Sequence, residues 1–154
     1  MTLTPQKINT FNFFKLPSVW WCGIRAKELQ ENKCVVSVKF RWINQNPFKS
    51  MFWAVQGMAA ELTTGALVMG KIRESNKRIS MLVLNNNASF SKKAVGRITF
   101  SCDQGEEVKE AIRKTVETGE AQTIWMKSVG VNAEGEEVSV FNFEWTVKVK
   151  SSEL

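Results

Sequence analysis

Histidine is absent from all 154 residues. That absence removes the Ser-His-Asp triad, the Cys-His dyad, histidine-ligated zinc and the histidine general base. Acid–base chemistry near neutral pH is left to a carboxylate, a lysine, a cysteine or water. Cysteine is scarce: Cys22, Cys34 and Cys102 are the three thiols, and none belongs to a C-x-x-C pair. An odd count among apolar neighbours predicts buried free thiols and no disulfide framework. No charged-then-apolar leader is visible, and with free thiols this predicts a cytoplasmic setting. Repeats, low-complexity tracts and linkers are missing too. One domain over residues 1–154 is therefore expected.

What is present is an ordinary globular balance. Hydrophobic residues make up 44% of the chain, enough to exclude extensive disorder and to build a core without disulfides or metals. The net charge is +6, and it is local. Lys71, Arg73, Lys77, Arg78, Lys92, Lys93 and Arg97 face one acid, Glu74, between positions 71 and 97, while the rest of the chain is neutral. A confined basic excess points to an anionic partner.

The patterns predict this order of elements. Thr4-Pro5 caps a helix over 4–16 within an N-terminal helical extension, residues 1–19. Strands follow over 20–29 and 33–41. Asn46-Pro47 marks a turn and the start of a central helix over 47–72, on the order of 36 Å long. Strands over 78–90 and 94–103 precede an amphipathic helix with Val108, Ala111, Ile112 and Val116 on its apolar face. Two long strands, 121–131 and 137–150, end the chain. The apolar parity of the last one switches at Val140-Phe141, which predicts a bulge. Strand runs with one segregated long helix define an α+β class: a sheet of about six antiparallel strands wrapped around a central helix. Exposed sheet edges predict a homodimer or a homotetramer. The polar residues Gln56, Glu61, Thr63 and Thr64 argue against reading the central helix as a membrane span.

From Ser50 to Gly70 the charged residue is Glu61. An ionised carboxylate among apolar residues is costly unless paired or functional, and burial tunes it toward general-base work. Asn46 either caps backbone N–H groups ahead of Pro47 or donates from its amide to a substrate carbonyl.

Three features together resemble the hotdog-fold thioesterase superfamily, on its phenylacetate-degradation thioesterase-like side, in a poorly characterised bacterial subgroup. They are the element order, Asn46 followed fifteen residues later by Glu61 in Ala59-Ala60-Glu61-Leu62, and the segment Phe90-Ser91-Lys92-Lys93-Ala94-Val95-Gly96. The resemblance implies a hotdog fold dimerised through its sheets. It also implies hydrolysis of acyl-coenzyme A thioesters, with coenzyme A as part of the substrate and no separate cofactor or metal. It casts Glu61 as base or nucleophile and Asn46 as carbonyl donor. Phe52 and Trp53 fall at the substrate site, where active relatives often carry a histidine followed by a glycine, and Lys49 replaces a further glycine. Lys92, Lys93 and Arg97 fall where phosphate-contacting loops occur. Even from Trp53 to Glu61 a helix rises roughly 12 Å, so Asn46 and Glu61 of one chain cannot meet one carbonyl. A composite site across a dimer is the expectation. The alternative is a non-catalytic acyl or acyl-CoA binding protein, favoured by the same three substitutions. Nucleic-acid binding lacks an RNP-type motif, a helix-turn-helix or a zinc site.

Overall fold

The computed structural model describes residues 2–150. Met1 and residues 151–154, the two ends of the expected domain, lie outside the described residues. The N-terminal helix α1 (Pro5–Lys15) starts as its cap predicts: Thr4 Oγ1 accepts the Lys7 N–H at 3.3 Å and Pro5 occupies the first turn. Leu16-Pro17 stops it and starts the short α2 (Pro17–Trp21). The strand expected from residue 20 therefore begins later. Trp20 and Trp21 are helical, Gly23 turns the chain at φ 83, and β1 runs Arg25–Leu29. It pairs with β2 (Cys34–Lys39).

The central helix α3 spans Trp53–Ser75, not 47–72. Asn46-Pro47 does not open it. Residues 46–51 form a tight loop in which Asn46 Oδ1 accepts the Phe48 N–H at 2.9 Å and the Ser50 N–H at 3.2 Å. Lys49 takes a left-handed φ of 59, and Gln45 bridges Met51. An asparagine ahead of proline serves an Asx turn as well as a helix cap, and here the turn forms. At the far end Asn76 closes the helix in the left-handed conformation.

Strands β3 (Ile79–Phe90) and β4 (Arg97–Cys102) follow, then α4 (Gly105–Thr118), β5 (Gln122–Val131) and β6 (Glu137–Val149). On α4 Val108, Ala111 and Ile112 are buried as expected. Val116 is exposed, and Thr115 is buried in the last turns, accepting the Val149 N–H at 3.0 Å. One antiparallel six-stranded sheet results, in the order β1-β2-β4-β5-β6-β3. It holds α3 in a hotdog arrangement. Ala59, Ala60, Leu67 and Val68 of the helix share a core with Val36, Val38, Phe100, Met126 and Trp145 of the sheet.

The expected bulge at Val140-Phe141 is not there. Val129 faces Val140 and Ser128 faces Phe141 in unbroken register. Residues of both parities are buried at that end of β6, from Val138 to Phe141, so the switch in apolar parity reflects cover on both faces. The register shifts lie elsewhere, between Ala26 and Glu28 of β1, between Val83 and Asn85 of β3 and between Gly130 and Val131 of β5. β3 is a twelve-residue edge strand that pairs only with β6 and leaves Leu82, Leu84 and Phe90 exposed. Among the described residues no helix is long and apolar enough to cross a membrane.

Candidate functional site

Three of the four polar side chains in the first three turns of α3 are tied to the sheet. The Ser139 hydroxyl donates to Gln56 Oε1 at 2.8 Å. Thr63 and Ser128 share a hydroxyl hydrogen bond of 2.9 Å. Trp145 Nε1 donates to Thr64 Oγ1 at 2.9 Å. These contacts fix the rotation of the helix. Glu61 is the exception: it points away from the sheet, toward α1. No ion pair or side-chain hydrogen bond reaches its carboxylate among the described residues, and burial raises its pKa above the ordinary carboxylate value. Gly65, one turn on, keeps the space beside it open. A Cβ there would stand 3.4 Å from Glu61 Oε1 and 3.3 Å from the Trp145 ring.

Glu61 lines a pocket of about 350 Å³ between α1 and α3. Ile8, Phe11, Leu62, Ala66, Met69 and Met81 form its apolar walls, and the exposed side chains of Lys7 and Arg73 stand at its rim. Asn12 lines it as well. That residue is 1% exposed, yet among the described residues neither its Nδ2 nor its Oδ1 has a hydrogen-bond partner. An unpaired buried amide costs roughly 1–3 kcal/mol. Sequence reasoning missed it. The available signal was an amide one helical turn after Ile8 on the face that α1 buries.

A second cleft, about 520 Å³, opens at the start of α3. It brings together five of the predicted site residues: Asn46, Phe52, Trp53, Lys92 and Lys93. The Asn46 amide is held by its own loop. Nδ2 donates to Ser50 Oγ at 3.0 Å and, loosely, to the Met51 carbonyl at 3.5 Å. Phe52 and Trp53 meet edge to face at 6.0 Å, and both are exposed in the isolated chain. Trp53 is the first residue of α3, so its N–H has no partner within the helix. Lys92 Nζ pairs with Glu136 Oε1 at 2.5 Å, at the surface. Arg97 lies outside the cleft, where its Nη1 donates to Ser37 Oγ at 3.1 Å.

The two cavities share no lining residue. Within one chain the structure thus separates Glu61 from Asn46, Phe52, Trp53, Lys92 and Lys93, and leaves Arg97 apart from both groups.

The remaining nucleophiles are muted. All three cysteines are free. Cys34 and Cys102 oppose each other across β2 and β4, and burial pushes their thiols up to about 12 and about 11. Neither is a thiolate near neutral pH. Lys71 is buried against Glu74 at 3.1 Å, so the basic segment is not one continuous face.

A family model described as a domain of unknown function, DUF4442, matches residues 5–147. No match was found among curated proteins. Solved structures share the fold at low identity. A Pseudomonas aeruginosa protein described as a "probable thioesterase" superposes with a TM-score of 0.82 at 20% identity, over 97% of this chain and 99% of that one. A Chlorobaculum tepidum protein of unknown function gives 0.80 at 18%, over 97% and 99%. A thioesterase from Haemophilus influenzae gives 0.74 at 13%, over 100% and 97%.

Proposed function

The chain belongs to the DUF4442 family, and on that footing we propose that it is a thioester hydrolase of the hotdog superfamily, akin to the phenylacetate-degradation thioesterases, that acts on acyl-CoA. One observation carries the reading. Along α3 the sheet satisfies Gln56, Thr63 and Thr64, while Glu61 is left unpaired in a pocket with its proton affinity raised. A carboxylate held this way has no structural partner to lose and is tuned toward proton transfer.

In the proposed reaction a water oxygen bonds to the thioester carbonyl carbon while the Glu61 carboxylate takes the water's proton. The tetrahedral intermediate collapses, the carbon–sulfur bond breaks, and the departing thiolate takes the proton back from Glu61. A carboxylic acid and a free thiol result. Attack by Glu61 itself through an acyl anhydride is the nucleophilic variant of the same assignment. The carbonyl oxygen is polarised from a second chain, by Trp53 of the partner subunit through its free helix-terminal N–H and by Asn46 of the partner subunit through its loosely held amide hydrogen. The open β3 edge, with Leu82, Leu84 and Phe90 exposed, supports a homodimer that brings the two cavities together. Phe52 and Trp53 then bound the acyl group, and Lys92 and Lys93 beside them, with Arg97 farther off, add positive charge that steers an anionic substrate toward the cleft.

Purified protein should release free thiol from a panel of acyl-CoAs, and Glu61→Gln should abolish that release. Unchanged release in Glu61→Gln defeats the assignment. The second reading, acyl-CoA binding without turnover, draws on the bulky Phe52 and Trp53 that line the cleft where smaller side chains would leave more room. Tight binding with no thiol release across chain lengths selects it.

A further inference from the structure

Two asparagines on α1 differ in kind. Asn9 is fully used: its Nδ2 donates to the Ala26 carbonyl at 3.0 Å and its Oδ1 accepts the Ala26 N–H at 2.8 Å. That pair of hydrogen bonds to the backbone clips α1 onto β1. Asn12, almost one turn later, is buried and faces the Glu61 pocket, and among the described residues neither end of its amide has a partner. With α1 capped by Thr4 and clipped by Asn9, the helix cannot roll to find one. In native folds buried amides are paired, so an orphan in a pocket asks what pairs it.

The deficit is one acceptor and one donor. A thioester carbonyl only accepts, and a plain acyl chain does neither. A secondary amide offers both on opposite edges, so one amide meets one end of Asn12: its carbonyl accepts from Asn12 Nδ2, leaving Asn12 Oδ1 for a second amide N–H farther along the ligand. Thiol arms of the pantetheine type carry such an amide, two methylenes from the sulfur. The apolar walls of the pocket suit those methylenes. The exposed Lys7 and Arg73 stand at the rim, where the phosphorylated end of the arm would emerge.

We propose that Asn12 is a specificity-determining residue that reads the secondary amide of a pantetheine thiol arm whose thioester reaches Glu61. This rests on the thioester reading above. It makes the N-terminal helix part of the site, and it assigns the thiol side of the substrate to the α1 pocket and the acyl side to the cleft of the partner subunit.

The test compares two thioesters of one acyl group, with N-acetylcysteamine, which keeps the amide, and with ethanethiol, which lacks it. Wild type should favour the first in kcat/KM by about tenfold or more. Asn12→Ala should erase the preference by slowing the first substrate alone, without lowering the melting temperature. Equal slowing of both substrates, or a preference that survives in Asn12→Ala, overturns the proposal. So does a lower melting temperature in Asn12→Ala, which reveals a partner inside the protein. Calorimetric titration with free pantetheine separates this inference from the reaction. Binding that Asn12→Ala abolishes, in a protein that releases no thiol, keeps the Asn12 assignment and sinks the hydrolase; hydrolysis without any amide preference does the reverse. Phosphopantetheine has two sources. A larger loss on acyl-CoA than on acyl-pantetheine in Lys7→Glu/Arg73→Glu points to free coenzyme A. Equal values on both, with acyl carrier protein preferred, point to a carrier-bound arm.

Discussion

The Asn46 loop and the α1 pocket are built from the same residue types and end in opposite states. In the loop the asparagine is held by backbone and hydroxyl groups, with one amide hydrogen only loosely held at 3.5 Å, and nearby Asn44 is fully spent, accepting the Arg41 N–H at 2.8 Å and donating to the Cys22 and Lys39 carbonyls. In the pocket a half-buried carboxylate and a buried amide have no partner among the described residues. Polar groups that hold a fold together are paired within it, and those kept for a ligand are not. The loop is mainly scaffold that shapes a helix terminus and presents its N–H, and the pocket is where the base is held in reserve.

The largest effect should come from the reserve. Glu61→Gln keeps the shape of the side chain and removes the base, so hydrolysis should fall by about 10²–10⁴-fold. Circular dichroism should show the fold intact. Retained thiol release would erase the distinction between the two regions.

Stability should move the other way. Asn44→Ala leaves two backbone carbonyls and one N–H without their partner and should cost about 1–3 kcal/mol in chemical denaturation. Asn46→Ala should cost about 1 kcal/mol through the lost Asx turn. Asn12→Ala removes an unpaired amide and should cost nothing or stabilise. A stability loss in Asn12→Ala as large as that in Asn44→Ala would break the comparison.

A smaller effect is expected from pH. Burial raises the Glu61 pKa in the folded state, so the folded protein holds that proton more tightly than the unfolded chain does. This contribution to stability is complete at pH below the ordinary carboxylate value and is lost as pH rises through the raised value. Glu61→Gln should therefore melt with wild type in acid and above it at neutral pH. Over the same interval wild-type hydrolysis should rise, because the base must ionise. Lys7 and Arg73 line the same pocket and, being exposed, act on this titration through solvent. Melting curves that stay parallel across pH would contradict the raised pKa.

Smallest of all should be Lys92→Ala. Its pair with Glu136 lies at the surface, and its loss should leave the melting temperature essentially unchanged.

Much of the fold was legible because apolar alternation is strong in β2 and β6, helical periodicity is strong in α4, and α3 is a long apolar run of good helix formers. Glu61 was legible because it is a lone charge in twenty apolar and neutral residues. Asn46-Pro47 misled, since the pair is equally suited to opening a helix and to closing an Asx turn, and the choice depends on Ser50 and Met51 folding back. Asn12 was invisible for a sharper reason. Along α1 the usual pattern is inverted: Phe11, Phe13 and Phe14 are exposed while the amide is buried. A rule that only places hydrophobic residues inward passes over it, and its place one turn after Ile8 was the sole mark of the buried face. Its significance appears only when the pocket and the missing partners are seen together.

The central claim is that Glu61 and the start of α3 of the partner subunit complete one site. Trp53→Pro isolates the second half. Proline suits the first helical position, and Phe52, at φ −59 and ψ 133, already has the backbone that precedes a proline. The change removes the Trp53 N–H and, by itself, should lower hydrolysis by about 10²–10³-fold. The most direct measurement mixes Glu61→Gln with Trp53→Pro under conditions of subunit exchange and follows thiol release. Two inactive proteins should regain activity on mixing, because half of the sites in each mixed dimer are intact. A mixture that stays inactive while mixed dimers form, or a Trp53→Pro protein that is fully active alone, contradicts the account.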